Sequence, residues 1–254
     1  MGKVITFINE KGGIGKTSCC FNTAWELSKK KKILLIDMDG QRANLTFFCG
    51  IKKENGMKTI FHILSDEESI NDVKVEVKKN LDLVPANSIV SELSQNLKII
   101  RMLKAIDEVK DDYDFIFIDV NPTPNRSHAL SLSVSDFIII PMLPDVASLE
   151  ANNGITESVE EILLTSNSNL KVLGILFNKY ESRSNMTKQV NNVAEKMAEN
   201  LKSSVFKTKI RKGVASGENV NAHIGITEYA PSSNVAKDYV EFCKEFLRKI
   251  KKEG

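Results

Sequence analysis

Six short apolar runs recur along the chain, separated by longer stretches with helical spacing. The runs are Val4-Ile5-Thr6-Phe7-Ile8, Ile33-Leu34-Leu35-Ile36, Leu81-Asp82-Leu83-Val84, Phe115-Ile116-Phe117-Ile118, Phe137-Ile138-Ile139-Ile140 and Val172-Leu173-Gly174-Ile175-Leu176-Phe177. Most show no polar alternation, as strands covered on both faces do. Helical candidates cover residues 16–30, 58–66, 91–109, 126–134, 148–164, 186–202 and 233–252. This alternation predicts the α/β class: a doubly wound, mostly parallel β-sheet flanked by helices and joined by right-handed crossovers. No repeat and no Pro/Gly/Ser-rich linker breaks the pattern, so one domain is expected across residues 1–254.

Composition narrows the classes. With 42% hydrophobic and 27% charged residues in 254, wholesale disorder is excluded. A chain of this length buries roughly three-quarters of its unfolded surface. The net charge of +2, from 35 basic and 33 acidic residues, is too near neutral to argue nucleic-acid binding, so any basic footprint must be local. Lys29-Lys30-Lys31-Lys32 closes a helix and reads as a solvated C-terminal cap. Cys19, Cys20, Cys49 and Cys243 have neither zinc nor redox spacing, and read as reduced, buried thiols of a cytosolic protein. The apolar start is too short for a signal peptide and fits a first strand better than a lipidation signal. No apolar run approaches the roughly 18 residues of a membrane helix.

The sharpest chemical signal is Lys11-Gly12-Gly13-Ile14-Gly15-Lys16-Thr17, directly after the first strand and opening the first helix. It meets the G-x-x-x-x-G-K-[ST] pattern loosely, because Glu10 stands where the first glycine belongs. The physics survives. Glycines let the backbone wrap a phosphate, successive N–H groups point inward, and the helix N-terminus, through Ser18, adds its dipole. Lys16 suits the β- and γ-phosphates of ATP, and Thr17 suits Mg2+. Asp37 and Asp39 lie at the end of the second strand, where ligands of open α/β sheets bind, and Asp119 ends the Phe115 strand. Asn178-Lys179-Tyr180 follows the last buried run; an amide there suits an adenine edge, or a strand-end turn.

With its second lysine, Lys11, this loop resembles the deviant Walker A motif of the ParA/MinD superfamily. The likeness continues through Asn22, Leu34-Leu35-Ile36-Asp37-Met38-Asp39-Gly40-Gln41, Tyr113-Asp114-Phe115-Ile116-Phe117-Ile118-Asp119 with Pro122, Ser135-Asp136-Phe137-Ile138-Ile139-Ile140-Pro141, and a closing Tyr229-Ala230-Pro231, Ser233, Ala236 and Tyr239. It covers almost the whole chain and is nearest to short, Soj-like ParA proteins without an N-terminal DNA-binding extension. The resemblance implies a slow, Mg2+-dependent ATPase. In it, Asp39 orients the attacking water and shares the metal with Thr17 and Asp119. Lys11 reaches across an ATP-dependent, face-to-face homodimer to the partner's nucleotide. Asn178 lies near the base, and Arg211 is among the ATP-binding residues.

The same resemblance implies a cytoplasmic, nucleoid-associated partition ATPase. Its dimer binds DNA non-specifically, and a ParB-like centromere-binding protein stimulates hydrolysis and release. DNA contacts are expected at Arg183, Lys207, Lys209, Arg211 and Lys212, with Arg248, Lys249, Lys251 and Lys252 of the last helix as further basic candidates. That helix spaces Val235, Tyr239, Phe242, Phe246 and Ile250 on one stripe, which reads as core packing or, as in MinD-like relatives, as a membrane-surface helix. The chain departs from the family pattern at Glu10, at Gly40 for Pro, at Asn121 for Pro, at Ala215 for a second Arg, and by one extra residue within 41–46. A metabolic enzyme of the superfamily would need a substrate pocket. A nitrogenase-iron-protein reading fails, because no cysteine lies between Cys49 and Cys243.

Overall fold

The computed structural model describes residues 1–40, 42–52, 54, 56–87, 99–145, 153–181 and 184–253. Its strands are β1 (Lys3–Phe7), β2 (Ile33–Asp37), β3 (Val75–Lys78), β4 (Leu81–Val84), β5 (Phe115–Asp119), β6 (Phe137–Met142) and β7 (Lys171–Phe177). They form one sheet in the order β3-β4-β2-β5-β1-β6-β7. Every neighbouring pair is parallel except the β3–β4 hairpin at the edge.

The helices are α1 (Lys16–Leu27), α2 (Asn44–Phe48), α3 (Ile60–Leu64), α4 (Ile70–Val73), α5 (Ile99–Val109), α6 (Arg126–Val134), α7 (Asn153–Thr165), α8 (Ser184–Asn200), α9 (Ala215–Asn221), α10 (Ile226–Tyr229) and α11 (Asn234–Glu253). All six apolar runs are strands, and each expected helix has a counterpart. Residues 91–98 and 148–152 of those expectations lie outside the described residues. The elements that the pattern missed are short or exposed. Of these, β3 is an edge strand with alternating charge, while α2, α4 and α10 are too brief for a helical period to register.

Both faces of the sheet are covered. Ile33, Leu35, Phe115 and Phe117 enter one apolar cluster with α1 and α11, while Leu34, Ile36, Ile116 and Ile118 enter another with α5 and α6. Adjacent residues of one strand therefore feed opposite cores, which is why the runs show no polar alternation. All four cysteines are unpaired and buried within this packing. Burial pushes the Cys19 thiol up to about 12.

The apolar stripe of α11 is part of the core. Val235, Tyr239, Phe242 and Phe246 are buried against the sheet, and the Phe246 ring meets those of Phe115 and Phe117 edge-on at 5.3 and 5.8 Å. Among the described residues, no helix is long and apolar enough to cross a membrane. Truncating Phe246 to Ala should cost about 3–5 kcal/mol of unfolding free energy, measured by urea titration. A stripe reserved for a membrane surface would leave that value unchanged.

Candidate nucleotide-binding site

The register of the sheet brings the chemistry together. Asp37 of β2 lies opposite Asp119 of β5, and Asp119 lies opposite Phe7, the last residue of β1. The loop from residue 8 to 15 leaves β1 at this same edge and runs into α1. Asn9 fixes its start: the amide donates to the Pro141 carbonyl at 2.8 Å, and the side-chain oxygen accepts from the Lys11 N–H at 2.9 Å.

Gly13 and Gly15 are left-handed, at φ 75° and 91°. A Cβ on Gly15 would also come within 2.3 Å of the Asn178 amide nitrogen, so both conformation and space require glycine there. The loop carbonyls are held by side-chain donors. Asn178 donates to the Ile14 carbonyl at 2.7 Å, Lys179 to Gly13 at 2.8 Å and Lys16 to Lys11 at 3.4 Å. The first bond of α1 runs from the Cys19 N–H to the Gly15 carbonyl. The amides of Lys16, Thr17 and Ser18 therefore precede any intrahelical acceptor and form an anion-binding end.

The acids at the strand ends differ in their partners. Asp37 is buried and accepts from the Asp39 N–H at 3.0 Å and from the N–H and hydroxyl of Thr46 at 2.8 and 2.7 Å. Burial raises its pKa to about 6, against the pull of those donors. Asp39 is buried, and its side chain accepts only a 3.2 Å bond from the Arg42 N–H in the described geometry. Asp119 is fully buried, and neither carboxylate oxygen has a hydrogen-bond partner among the described residues. Burial, then the charge of Asp37, push its pKa well up. The Thr17 hydroxyl lies beside it without closing a normal hydrogen bond, and Lys16 acts in the same lowering direction. Lys16 is itself buried, which lowers its pKa, while Asp119 and Asp39 oppose that shift.

An orphaned buried carboxylate beside a threonine hydroxyl and an amide-lined loop fits a hydrated Mg2+ held together with phosphate oxygens. Among the described residues no cluster of three or more His, Cys, Asp and Glu could cage a metal by itself. That is the expected case for Mg2+, which keeps several waters and shares its shell with substrate phosphates.

Other expected site residues are engaged. Lys11 reaches the Asp145 carboxylate at 3.0 Å. Arg211 grips Asp238 through Nε and Nη2, at 2.9 and 2.6 Å, so a nucleotide or DNA contact requires that pair to open. Lys212 pairs with Glu181 at 2.8 Å. The Lys209 ammonium sits 4.3 Å above the Tyr180 ring, and Lys249 donates to the Leu173 carbonyl and the Ser204 hydroxyl. Lys207 is exposed, and Arg183 lies outside the described residues. Asn22 ties α1 to α9 and to the start of α10: it accepts from the Ile226 N–H at 2.7 Å and from the Asn219 amide at 3.2 Å. Sequence reading missed Asn9, Thr46, Lys179 and Asp145. Only Asn9, adjacent to the glycine motif, had a local signal.

A family model described as an AAA domain matches residues 2–172. The chain is 30% identical over 255 residues to the sporulation initiation inhibitor protein Soj of Bacillus subtilis, covering 96% of this chain and 98% of that one. The chain belongs to the ParA/MinD superfamily of P-loop ATPases. It is 29% identical to the chromosome-partitioning ATPase Soj of Treponema pallidum, covering 97% of this chain and 98% of that one. The fold also matches the septum site-determining protein MinD of Pyrococcus horikoshii, solved with Mg-ADP, at a TM-score of 0.80 and 20% identity, over 100% and 99% of the two chains. Within the superfamily the chain stands close to the Soj-like partition proteins.

Two outcomes follow from this geometry. Replacing Asn178 with Ala strands the Ile14 carbonyl, so binding of ATP and of tripolyphosphate should weaken alike, by about 1–3 kcal/mol in calorimetry. A loss confined to ATP would instead make the amide a reader of the base. Separately, burial makes Asp37 keep its proton to about pH 6 in the fold, against 3.8 for a free aspartate carboxyl. The contribution of Asp37 to native stability therefore falls as pH rises between those values, and Asp37→Asn removes that contribution. The stability of Asp37→Asn relative to the parent should grow by roughly 3 kcal/mol across that window. Parallel urea curves would refute the assignment.

Proposed function

We propose that this chain is a partition ATPase, a single ParA-type domain across residues 1–254, working in the cytoplasm on the nucleoid. The observation that carries the reading is the unpartnered, buried Asp119 beside Thr17 and the amide end of α1, with a second lysine, Lys11, at the loop's entrance. Phosphates of ATP lie against the amides of Gly12, Gly13, Ile14, Gly15, Lys16, Thr17 and Ser18, and Lys16 neutralises the β- and γ-phosphates. Thr17, Asp119 and Asp39 hold Mg2+, which when bound neutralises charge on the transferring phosphoryl group. Asp39 orients the attacking water. Asn178 shapes the loop near the base, and Arg211 reaches the nucleotide once freed from Asp238.

Lys11 acts in trans. In the single chain its ammonium rests on Asp145. In the ATP-bound homodimer it serves the partner's nucleotide, so that ATP and dimerisation become one equilibrium. The dimer then brings basic residues from both copies onto duplex DNA, among them Arg183, Lys207, Lys209, Arg211 and Lys212. A ParB-like centromere-binding protein stimulates hydrolysis and release. A membrane surface is disfavoured because the apolar face of α11 is spent in the core.

The test is binding to arbitrary duplex DNA with ATP, with ADP and without nucleotide. Binding is expected with ATP alone, and its logarithm should fall by about 0.9 per phosphate contact per unit of log salt. Firm ATP binding with no DNA retention at low salt would sink the partition reading. Lys11→Ala should lose ATP-dependent dimers in light scattering. Asp39→Ala should keep them but hydrolyse ATP on the order of 100-fold more slowly.

A further inference from the structure

Next to the candidate site, on the outer side of α2, lies an open cleft of about 560 Å³. It is lined by Arg42, Asn44, Phe47, Gly50, Ile51, Lys52 and His223. Three consecutive residues of α2 divide their work. The Thr46 hydroxyl clasps Asp37, the Phe48 ring packs on Phe21 at 5.8 Å, and Phe47 turns outward with 46% of its surface exposed. The Phe47 ring meets His223 edge-on, with centroids 5.0 Å apart. Gly50 makes that fit possible. It is left-handed at φ 74°, and a Cβ there would stand 3.2 Å from the His223 Cβ. Behind the ring, Nδ1 of His223 is buried without a hydrogen-bond partner among the described residues.

The cleft is thus an exposed aromatic wall with a cationic rim. Arg42 and Lys52 border it, and none of its lining residues is acidic. It is open rather than enclosed, whereas small-molecule sites bury most of their ligand. Aromatic side chains serve as anchors in protein interfaces, and a rim of one sign of charge favours a partner of the opposite sign. We propose that this cleft docks an acidic segment of a partner protein, with one apolar side chain on Phe47 and Ile51 and its carboxylates at Arg42 and Lys52. The charge complementarity of the rim selects that occupant.

The location gives the contact a consequence. The Arg42 N–H donates to the Asp39 carboxylate, and the Ala43 N–H donates to the Asp39 carbonyl at 2.7 Å. The outer wall of the cleft and the acid proposed to orient water therefore belong to one short segment. A segment seated on Phe47 can bias the position of Asp39. This consequence rests on the ATPase reading, whereas the docking itself does not.

Binding is accordingly measured without nucleotide. The probe is a fluorescein-labelled short peptide of Glu and Asp around one central Leu, read by anisotropy, with a Lys-for-acid peptide as control. Saturable binding of the acidic peptide alone is expected. Phe47→Ala and, separately, Lys52→Glu should each weaken it by at least about tenfold. Both side chains are exposed, so both variants should fold, and unchanged thermal melts check this. No saturable binding, equal binding of the basic peptide, or indifference to both substitutions overturns the proposal. So does full displacement by inorganic phosphate, which would mark a small-anion site only.

Discussion

Three carboxylates and one ammonium buried at the ends of neighbouring strands are the constraint around which the rest of the molecule is arranged. Charges taken from water are costly unless hydrogen bonds or counter-charges replace the solvent. Asp37 is compensated from within by three donors, two of them from Thr46. Asp119 is not: both of its oxygens lack a donor among the described residues, and Lys16 is the cation that offsets them. One acid therefore organises the chain, and the other is left for a ligand. The division follows from position. Asp37 faces α2, which carries Thr46, while Asp119 faces the glycine loop, whose carbonyls are already turned toward Asn178, Lys179 and Lys16.

That arrangement needs a sheet with nothing but its edge open. Because successive residues of β2 and β5 feed two separate cores, helices cover both faces of the central strands, and the loops that carry the site gather at their carboxyl ends. The β1 strand lies between β5 and β6, so the loop leaving it is flanked by Asp119 on one side and by the β6 exit toward Asp145 on the other. The last helix completes the frame. Its aromatic stripe packs on Phe115 and Phe117, and its Asp238 and Glu245 tie down Arg211 and the 207–208 turn.

The strands were legible because burial on both faces leaves an unbroken apolar run, and the long helices because their period persists over several turns. The phosphate loop was legible because left-handed backbone demands glycine, and glycine is visible in a sequence. What could not be read was held by distance. Thr46 closes on Asp37 nine residues away, Asp145 meets Lys11 from the far side of β6, and Asp238 of α11 takes Arg211 from 27 residues away. No local pattern encodes such pairs. Asn178 shows the limit in another form: the sequence suggests an amide at an adenine edge or a strand-end turn, whereas in the structure the amide donates to the Ile14 carbonyl and so shapes the loop itself.

The segment after β2 shows how a departure from the family pattern is absorbed. One extra residue within 41–46 has to fit between Asp39, which must stay at the strand end, and Thr46, which must reach Asp37. The Ala43 N–H folds back onto the Asp39 carbonyl, and Ala43 adopts the left-handed conformation at φ 46°. For a residue with a Cβ this stores roughly 1–2 kcal/mol. The Thr46–Asp37 clasp holds that strain in place. Asp39 accepts at the strained end and Asp37 at the clasped end, so the irregular stretch of sequence is anchored at both ends to strand-end carboxylates.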